Sequence, residues 1–292
     1  MTDKPIDPVQ FLYAEIEKNE IEKIKRFKRS PMRFRASEAA DCSRKIWYRL
    51  TGHMPVPRSA FLELVSQSGN IHHDFVRHLL HLYGVKLHGL AMNEDGTVTE
   101  DPTIVREFEK NGQKFTVSGR SDGGIDVQIE DEATNAVLEI KSIGAWKYRY
   151  INEAFEKGPQ EIYDYIHKNC KSYVYQGTVM ALLQDKDYVY LLLVNRDNMT
   201  IGLFSETTGA RHGGLQFKVD EELREQILSK FARIQKMVYD GTPPPPEFTQ
   251  NSTECKQCDF MVYCHGARTR REKGIKPYVQ FPVEGLFTEV PE

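Results

Sequence analysis

The chain has 292 residues, 40% hydrophobic and 28% charged, with a formal net charge of −3 at pH 7. This balance, with a mean hydropathy of −0.53, describes a soluble globular protein built as one large domain or one domain with additions. No apolar stretch approaches the ~20 residues of a membrane span, and the start lacks the basic-then-apolar layout of a signal peptide, so a cytoplasmic location without membrane contact is the default expectation.

Residues 8–28 are expected to be helical, with Phe11, Leu12, Ile16, Ile21 and Ile24 set among charges. Residues 22–35 are strongly basic, and a shorter basic run occupies residues 268–273. Either run could line a groove for phosphates or form a solvated helix face. Ser37 is a candidate N-cap for a short helix. Residues 60–83 form a second helical stretch, rich in Leu and His.

The period then changes. Residues 103–108, 114–118, 124–129 and 136–142 read as strands separated by Asn-Gly, Gly-Gly and polar turns. Residues 159–184 return to helix, residues 188–195 form a strongly apolar strand, and residues 200–218 supply one or two more. Residues 219–239 form an amphipathic helix with Leu223, Ile227, Phe231, Ile234 and Val238 on one face. A Gly-Thr-Pro-Pro-Pro-Pro run at 241–246 stops that helix and serves as a stiff connector. The expected fold is α/β, a mixed central sheet flanked by helices. Its parts are an N-terminal helical segment (1–58), a core (59–240) and a C-terminal segment with a tail (241–292).

Three features carry chemistry. In an extended strand at 136–142, Glu139 and Lys141 share one face while Leu138 and Ile140 take the other. Asp122 lies upstream in Gly119-Arg120-Ser121-Asp122. Two carboxylates and a cation on adjoining strands can hold Mg²⁺ or Mn²⁺ beside a phosphodiester, with the Ile140 carbonyl as a further oxygen ligand and Lys141 directed at the attacking water. The alternative is an exposed ion pair on an edge strand.

His73, four residues after Gly69 on the second helix, is a further candidate metal ligand or a merely packed imidazole. Gln176, on the helix after the Glu-x-Lys strand, could contact a nucleic-acid backbone, steady Lys141, or be an ordinary surface residue. Residues 146–150, Trp-Lys-Tyr-Arg-Tyr, interleave aromatics with cations. That suits stacking on unpaired bases, or equally a core aromatic set with solvated charges between.

The third feature is cysteine placement. Of five cysteines, Cys255, Cys258 and Cys264 fall together as Cys-x2-Cys-x5-Cys. Cys42 lies far upstream and can join them only if the chain ends meet. The pattern is unlike a secreted disulfide framework and points to metal. Cys170 stands alone, as a buried small hydrophobe would.

Taken in order, Gly69…His73, Gly119…Asp122, Glu139-Ile140-Lys141 and Gln176, framed by Cys42 and the C-terminal trio, resemble the RecB-like branch of the PD-(D/E)XK nuclease superfamily. The resemblance is closest to its iron–sulfur members, such as the CRISPR-associated RecB-like exonucleases and the nuclease domain of AddB. It spans about residues 36–266 and departs at Met180, where the family usually has tyrosine. It implies a restriction-endonuclease-like core in which His73, Asp122, Glu139 and the Ile140 carbonyl bind Mg²⁺ or Mn²⁺, Lys141 assists the water, and Gln176 supports DNA. It implies a [4Fe–4S] cluster on Cys42, Cys255, Cys258 and Cys264; four thiolates also satisfy a structural Zn²⁺. It further implies DNA exonuclease activity, with a preference for single-stranded ends, and work alongside recombination, replication or CRISPR-adaptation proteins. A structure-specific endonuclease and a non-catalytic nucleic-acid-binding module of the same fold remain open alternatives.

Overall fold

The computed structural model describes residues 8–25, 32–100, 103–129, 132–204 and 211–265. The N-terminal third comprises α1 (Pro8–Lys25), β1 (Arg33–Arg35), a 3-10 turn (Ala36–Glu38), α2 (Ser43–Leu50), α3 (Ala60–Leu82) and β2 (Leu87–His88). Four strands follow: β3 (Thr103–Lys110), β4 (Gln113–Arg120), β5 (Gly124–Ile129) and β6 (Glu132–Ile143). Helices α4 (Ala145–Glu156), α5 (Pro159–Asn169) and α6 (Lys171–Gln184) lead to β7 (Tyr188–Asn195), β8 (Thr200–Ile201), β9 (Leu203–Phe204), β10 (Arg211–His212) and β11 (Leu215–Lys218). The described residues close with α7 (Glu221–Tyr239), α8 (Thr253–Lys256) and α9 (Met261–His265). No described helix is long and apolar enough to cross a membrane.

The fold is α/β, with mixed sheets flanked by helices. The larger sheet runs β11-β7-β6-β5-β2, with β8 added on β7; β6 and β7 are parallel and their other pairings antiparallel. A second sheet, β1-β4-β3, joins a parallel β1–β4 pair to the β3–β4 hairpin. Asn111 and Gly112 close that hairpin at φ of 52° and 70°, the left-handed backbone that an Asn-Gly turn adopts readily. The C-terminal end of α7 and the segment beyond it are tied to the N-terminal part. Trp47 Nε1 donates to the Met237 carbonyl (3.1 Å), Val56 N–H to the Asp259 carbonyl (2.8 Å), and the Tyr263 hydroxyl to the Met54 carbonyl (3.1 Å).

Three expectations are corrected. Residues 200–218 hold four short strands, β8 to β11, where one or two were expected. Ser37 caps no helix; it sits inside the 3-10 turn, and α2 begins at Ser43 after Cys42. The turn is closed by Glu38, whose carboxylate accepts from its own Arg35 N–H (3.2 Å) and pairs with the buried Arg49 guanidinium. The single helix expected over 159–184 is two, because Cys170 leaves helical backbone at φ −127° and buries its side chain. One residue turning out of the helix needs no Pro or Gly, so hydrophobic periodicity does not expose the break.

Arg49 also donates to the Arg33 carbonyl (2.9 Å), so the Glu38–Arg49 pair anchors β1 as well as the turn. Glu38→Ala removes the carboxylate of this buried ion pair. It is expected to cost about 3–5 kcal/mol, read as a lowered denaturant midpoint at unchanged m-value.

Candidate active site

β6 lies in the middle of its sheet, between β5 and β7, so the edge-strand alternative for Glu139 and Lys141 does not hold. Its alternation is strict. Leu138 and Ile140 join a smaller core with Val76 of α3, while Val137 and Ile143 join the larger core that includes α6. Glu139 and Lys141 share the latter parity, toward the helix that carries Gln176. Glu139 is 1% exposed, and Lys141 Nζ lies 2.5 Å from its Oε1. The same Nζ donates to Gln176 Oε1 (3.1 Å), so of the readings open for Gln176 the structure contains the contact that steadies Lys141.

Asp122 sits in the short connection between β4 and β5. Antiparallel pairing of β5 with β6 runs out at Gly124 opposite Val137, followed by a last bond from Leu138 N–H to the Gly123 carbonyl. The next amide on that side, Ile140 N–H, is taken by Asp122 Oδ2 (2.9 Å). Gly123 makes the bend at φ 117°, a conformation that side chains oppose. The carboxylate therefore replaces a missing strand carbonyl and is brought next to β6 as the two strands part.

His73 reaches the same carboxylate from α3: its Nδ1 lies 3.1 Å from Asp122 Oδ1. α3 approaches β6 closely at Gly69, where an added Cβ would stand 3.5 Å from Ser142 Oγ. One turn after His73, Arg77 places Nη1 3.7 Å from Asp122 Oδ1 and pairs through Nη2 with Asp74. A cleft of about 140 Å³ is lined by Asn70, His73, Asp74, Arg77, Arg120, Asp122 and Gln176. Sequence reading missed Asn70, Asp74, Arg77 and Arg120. Arg77 had a usable signal, because a residue four positions after His73 shares its helix face.

Met180 is not at the rim of this cleft. It is 1% exposed, one turn beyond Gln176, and its sulfur is the atom nearest the place a Gly119 Cβ would occupy. A side chain at Gly119 would crowd helix α6 where it lies on β4. Leu183 and Ala36 crowd the same point at 3.0 and 3.1 Å.

The electrostatics follow from burial. Burial alone would raise Asp122, but the His73 hydrogen bond and charge, the Ile140 amide and the Lys141 ammonium outweigh it and hold this carboxyl below its usual range. Burial, reinforced by the Asp122 charge, pushes Glu139 up against the opposing pull of Lys141. Burial disfavours the Lys141 ammonium, yet the Glu139 charge and hydrogen bond overcome this and raise it. Two carboxylates in one buried site, driven in opposite directions, are a pattern of functional sites more than of stabilising ones.

No three His, Cys, Asp or Glu side chains among the described residues converge on a single coordination point. The donors instead face one another, His73 toward Asp122 and Glu139 toward Lys141. Their chemistry nonetheless fits a hard divalent cation: two buried carboxylates, an imidazole and the Ile140 backbone. Glu139 Oε1, fully buried, has its short contact with Lys141 Nζ and no other partner among the described residues.

Elsewhere, Cys42, Cys255, Cys258 and Cys264 are free, half-buried thiols lining one cavity of about 260 Å³, together with Phe248 and Met261. Cys42 and the 255–264 segment do meet there. Burial pushes the Cys258 thiol up to about 11, and burial likewise raises Cys264 although the Tyr48 and Arg44 side chains hydrogen-bond its sulfur. The four sulfurs line this cavity without converging on one coordination point; their soft chemistry is that of a tetrathiolate metal centre, which would displace the thiol protons on binding.

Along 146–150 only part of the expected strip is available. Trp146 is 73% exposed, with Tyr150 tilted against it at 6.1 Å. Tyr148 faces inward, because its hydroxyl donates to the Gly202 carbonyl (2.7 Å), and Lys147 caps the Tyr173 ring. Cys170 is 1% exposed, as a buried hydrophobe would be. Of the basic stretches, residues 26–31 and 268–273 lie outside the described residues.

No protein-family model and no curated protein sequence matches the chain. Among solved structures it is similar to SSO0001, at a TM-score of 0.45 and 16% identity over 89% of this chain and 98% of that one. It is also similar to LHK-Exo, an alkaline exonuclease from Laribacter hongkongensis crystallised alone and with dAMP, at a TM-score of 0.42 and 11% identity over 80% of this chain and 93% of that one.

Proposed function

We propose that the chain is a divalent-metal-dependent deoxyribonuclease of the RecB-like PD-(D/E)XK type, with a restriction-endonuclease-like core, acting from the ends of single-stranded DNA in the cytoplasm. The observation that carries this reading is the convergence of Asp122, Glu139, Lys141 and His73 from one connection, one strand and one helix, beside a cleft that His73 and Asp122 line. Nothing in the packing of either core requires these charges to be buried together.

Asp122, Glu139, the Ile140 carbonyl and His73 would hold Mg²⁺ or Mn²⁺, which supplies Lewis-acid activation of water and of the phosphoryl oxygen. Lys141, kept charged by Glu139 and aimed by Gln176, orients the attacking water and offsets charge building on the phosphate. Gln176 thereby acts through Lys141, and as a lining residue of the cleft it would also be available to a DNA backbone. The exposed Trp146 and Tyr150 offer ring faces to unpaired bases, which supports the single-strand preference. Cys42, Cys255, Cys258 and Cys264 would carry a [4Fe–4S] cluster that clasps the chain ends, zinc being the alternative occupant. Proteins of recombination, replication or CRISPR adaptation are the partners this activity would serve.

The test uses purified protein, Mn²⁺, and single-stranded DNA in linear and closed circular form. Linear DNA is expected to be degraded, circles to survive, and excess chelator to stop the reaction. Cleavage of circles would make the protein an endonuclease. DNA binding without cleavage under any divalent metal would leave the non-catalytic module as the reading.

A further inference from the structure

A second cavity, of about 400 Å³, is walled by α1, β1 with its 3-10 turn, α2 and the segment 55–58. Its charges do not balance once each is matched to its partner. Among its carboxylates, Glu38 accepts from Arg49 (2.6 Å), Glu20 is held by Lys23 (2.5 Å), and Asp41 is held by Lys45 (2.8 Å). The charge of Asp259 also acts on Lys45. Two exposed guanidiniums on the same wall, Arg35 and Arg58, make no side-chain hydrogen bond and no ion pair among the described residues. Glu63, the carboxylate on which the Arg58 charge acts, is already engaged by Lys23 (3.3 Å) and Gln67 (3.1 Å).

Like charge is crowded at this point. The burial that Arg35 does have, and the charges of Arg49, Arg33 and Arg58, hold its guanidinium below the ordinary value against the opposing pull of Glu38. Cations gathered without anions between them repel one another in the free protein and attract a polyanion. The strand register ties this patch to the candidate active site. Arg35 pairs with Ser118, and Arg120, two residues further along β4, shares the face of Ser118 and lines the 140 Å³ cleft. Strand spacing and rise put the Arg35 and Arg120 backbones about 8 Å apart on that face. We propose that Arg35 and Arg58 bind the backbone of the DNA strand outside the cleft, a few phosphates from the scissile one, on the side where β1 lies. The inference rests on the nuclease reading and deepens it by giving one flank of the strand's path.

The test measures binding of a thymidine dodecamer over a range of salt concentrations, with Ca²⁺ in place of Mg²⁺ so that cleavage is suppressed. Each phosphate neutralised on a single strand contributes about 0.7 to the slope of log affinity against log salt. Arg35→Gln and Arg58→Gln are each expected to lower that slope by about 0.7, and the double variant by about 1.4. A thymidine trinucleotide, too short to reach from the cleft to both arginines, is expected to bind the double variant within about two-fold of wild type. Arg233→Gln removes the same charge from an exposed position on α7 and is expected to leave the slope unchanged. Melting curves verify the fold of each variant, and if one single variant does not fold the other decides. An unchanged slope, an equal change from Arg233→Gln, or an equal loss on the trinucleotide overturns the proposal. Wild type that neither binds the dodecamer nor cleaves DNA brings down the nuclease reading and the proposal together. Wild type that cleaves DNA while the variants keep its slope overturns the proposal alone.

Discussion

Glu139→Gln and Lys141→Ala are each expected to reduce Mn²⁺-dependent degradation of linear single-stranded DNA by about 10²–10³-fold, with far-ultraviolet circular dichroism unchanged. The size follows from the groups removed. A buried, preorganised charge at a reacting phosphate acts in a water-poor site, where one lost donor costs roughly 10²–10³ in turnover. Here the Lys141 ammonium is bound to both Glu139 and Gln176, so its position is set before substrate arrives. Glutamine at 139 keeps the shape and removes the charge that holds Lys141 protonated; alanine at 141 leaves Glu139 buried without its partner. The second change should therefore lower stability by about 3–5 kcal/mol as well, since it strands a buried carboxylate. Activity is to be compared below the variant's own melting temperature. Full activity in either purified variant would remove the site from consideration.

Cys258→Ser is expected to bleach the protein and to loosen its C-terminal segment. Wild type isolated without oxygen should absorb near ~400 nm and carry iron; the variant should have lost both. Structural metal centres contribute about 10–16 kcal/mol in small zinc domains that have little other core. The loss here should be smaller, because the Trp47, Val56 and Tyr263 hydrogen bonds already fasten residues 237–263 to the N-terminal part. Aromatic packing of Tyr48 with Phe260 and Tyr263 acts in the same direction. At about 2–4 °C per kcal/mol for a chain of this size class, a fall in melting temperature of roughly 10 °C or more is the expected result. A colourless wild type containing zinc would replace the cluster while keeping the clasp. A metal-free wild type as stable as its variant would remove the clasp altogether.

Local rules carried the secondary structure far. Asn111-Gly112 marks its hairpin because few other pairs accept positive φ at both positions. Leu223, Ile227, Phe231 and Ile234 mark α7 because one face of a helix must be apolar to pack. The parity of Glu139 and Lys141 follows from the strand period alone, and their order along the chain with His73, Asp122 and Gln176 carried the resemblance to a nuclease family. Ser37 and the break at Cys170 were not legible. The first depended on a long-range partner, Arg49, and the second on a single set of backbone angles.

What the chain itself determined, then, is the inventory: which residues share a face, where strands and helices alternate, and which sulfur and carboxylate groups are available. Only the tertiary structure decided how those groups meet. Asp122 reaches Ile140 because β5 and β6 part at Gly123, Gly119 is crowded because Met180 of a helix more than fifty positions later lies on it, and Cys42 joins the distant trio because the segments around residues 47–56 and 237–263 pack together. Arg77, unremarkable on a helix full of histidines, became notable only once the fold buried it beside the Asp122 carboxylate. Periodicity is a property of neighbours in the chain, whereas convergence is a property of neighbours in space. The second cannot be read from the first.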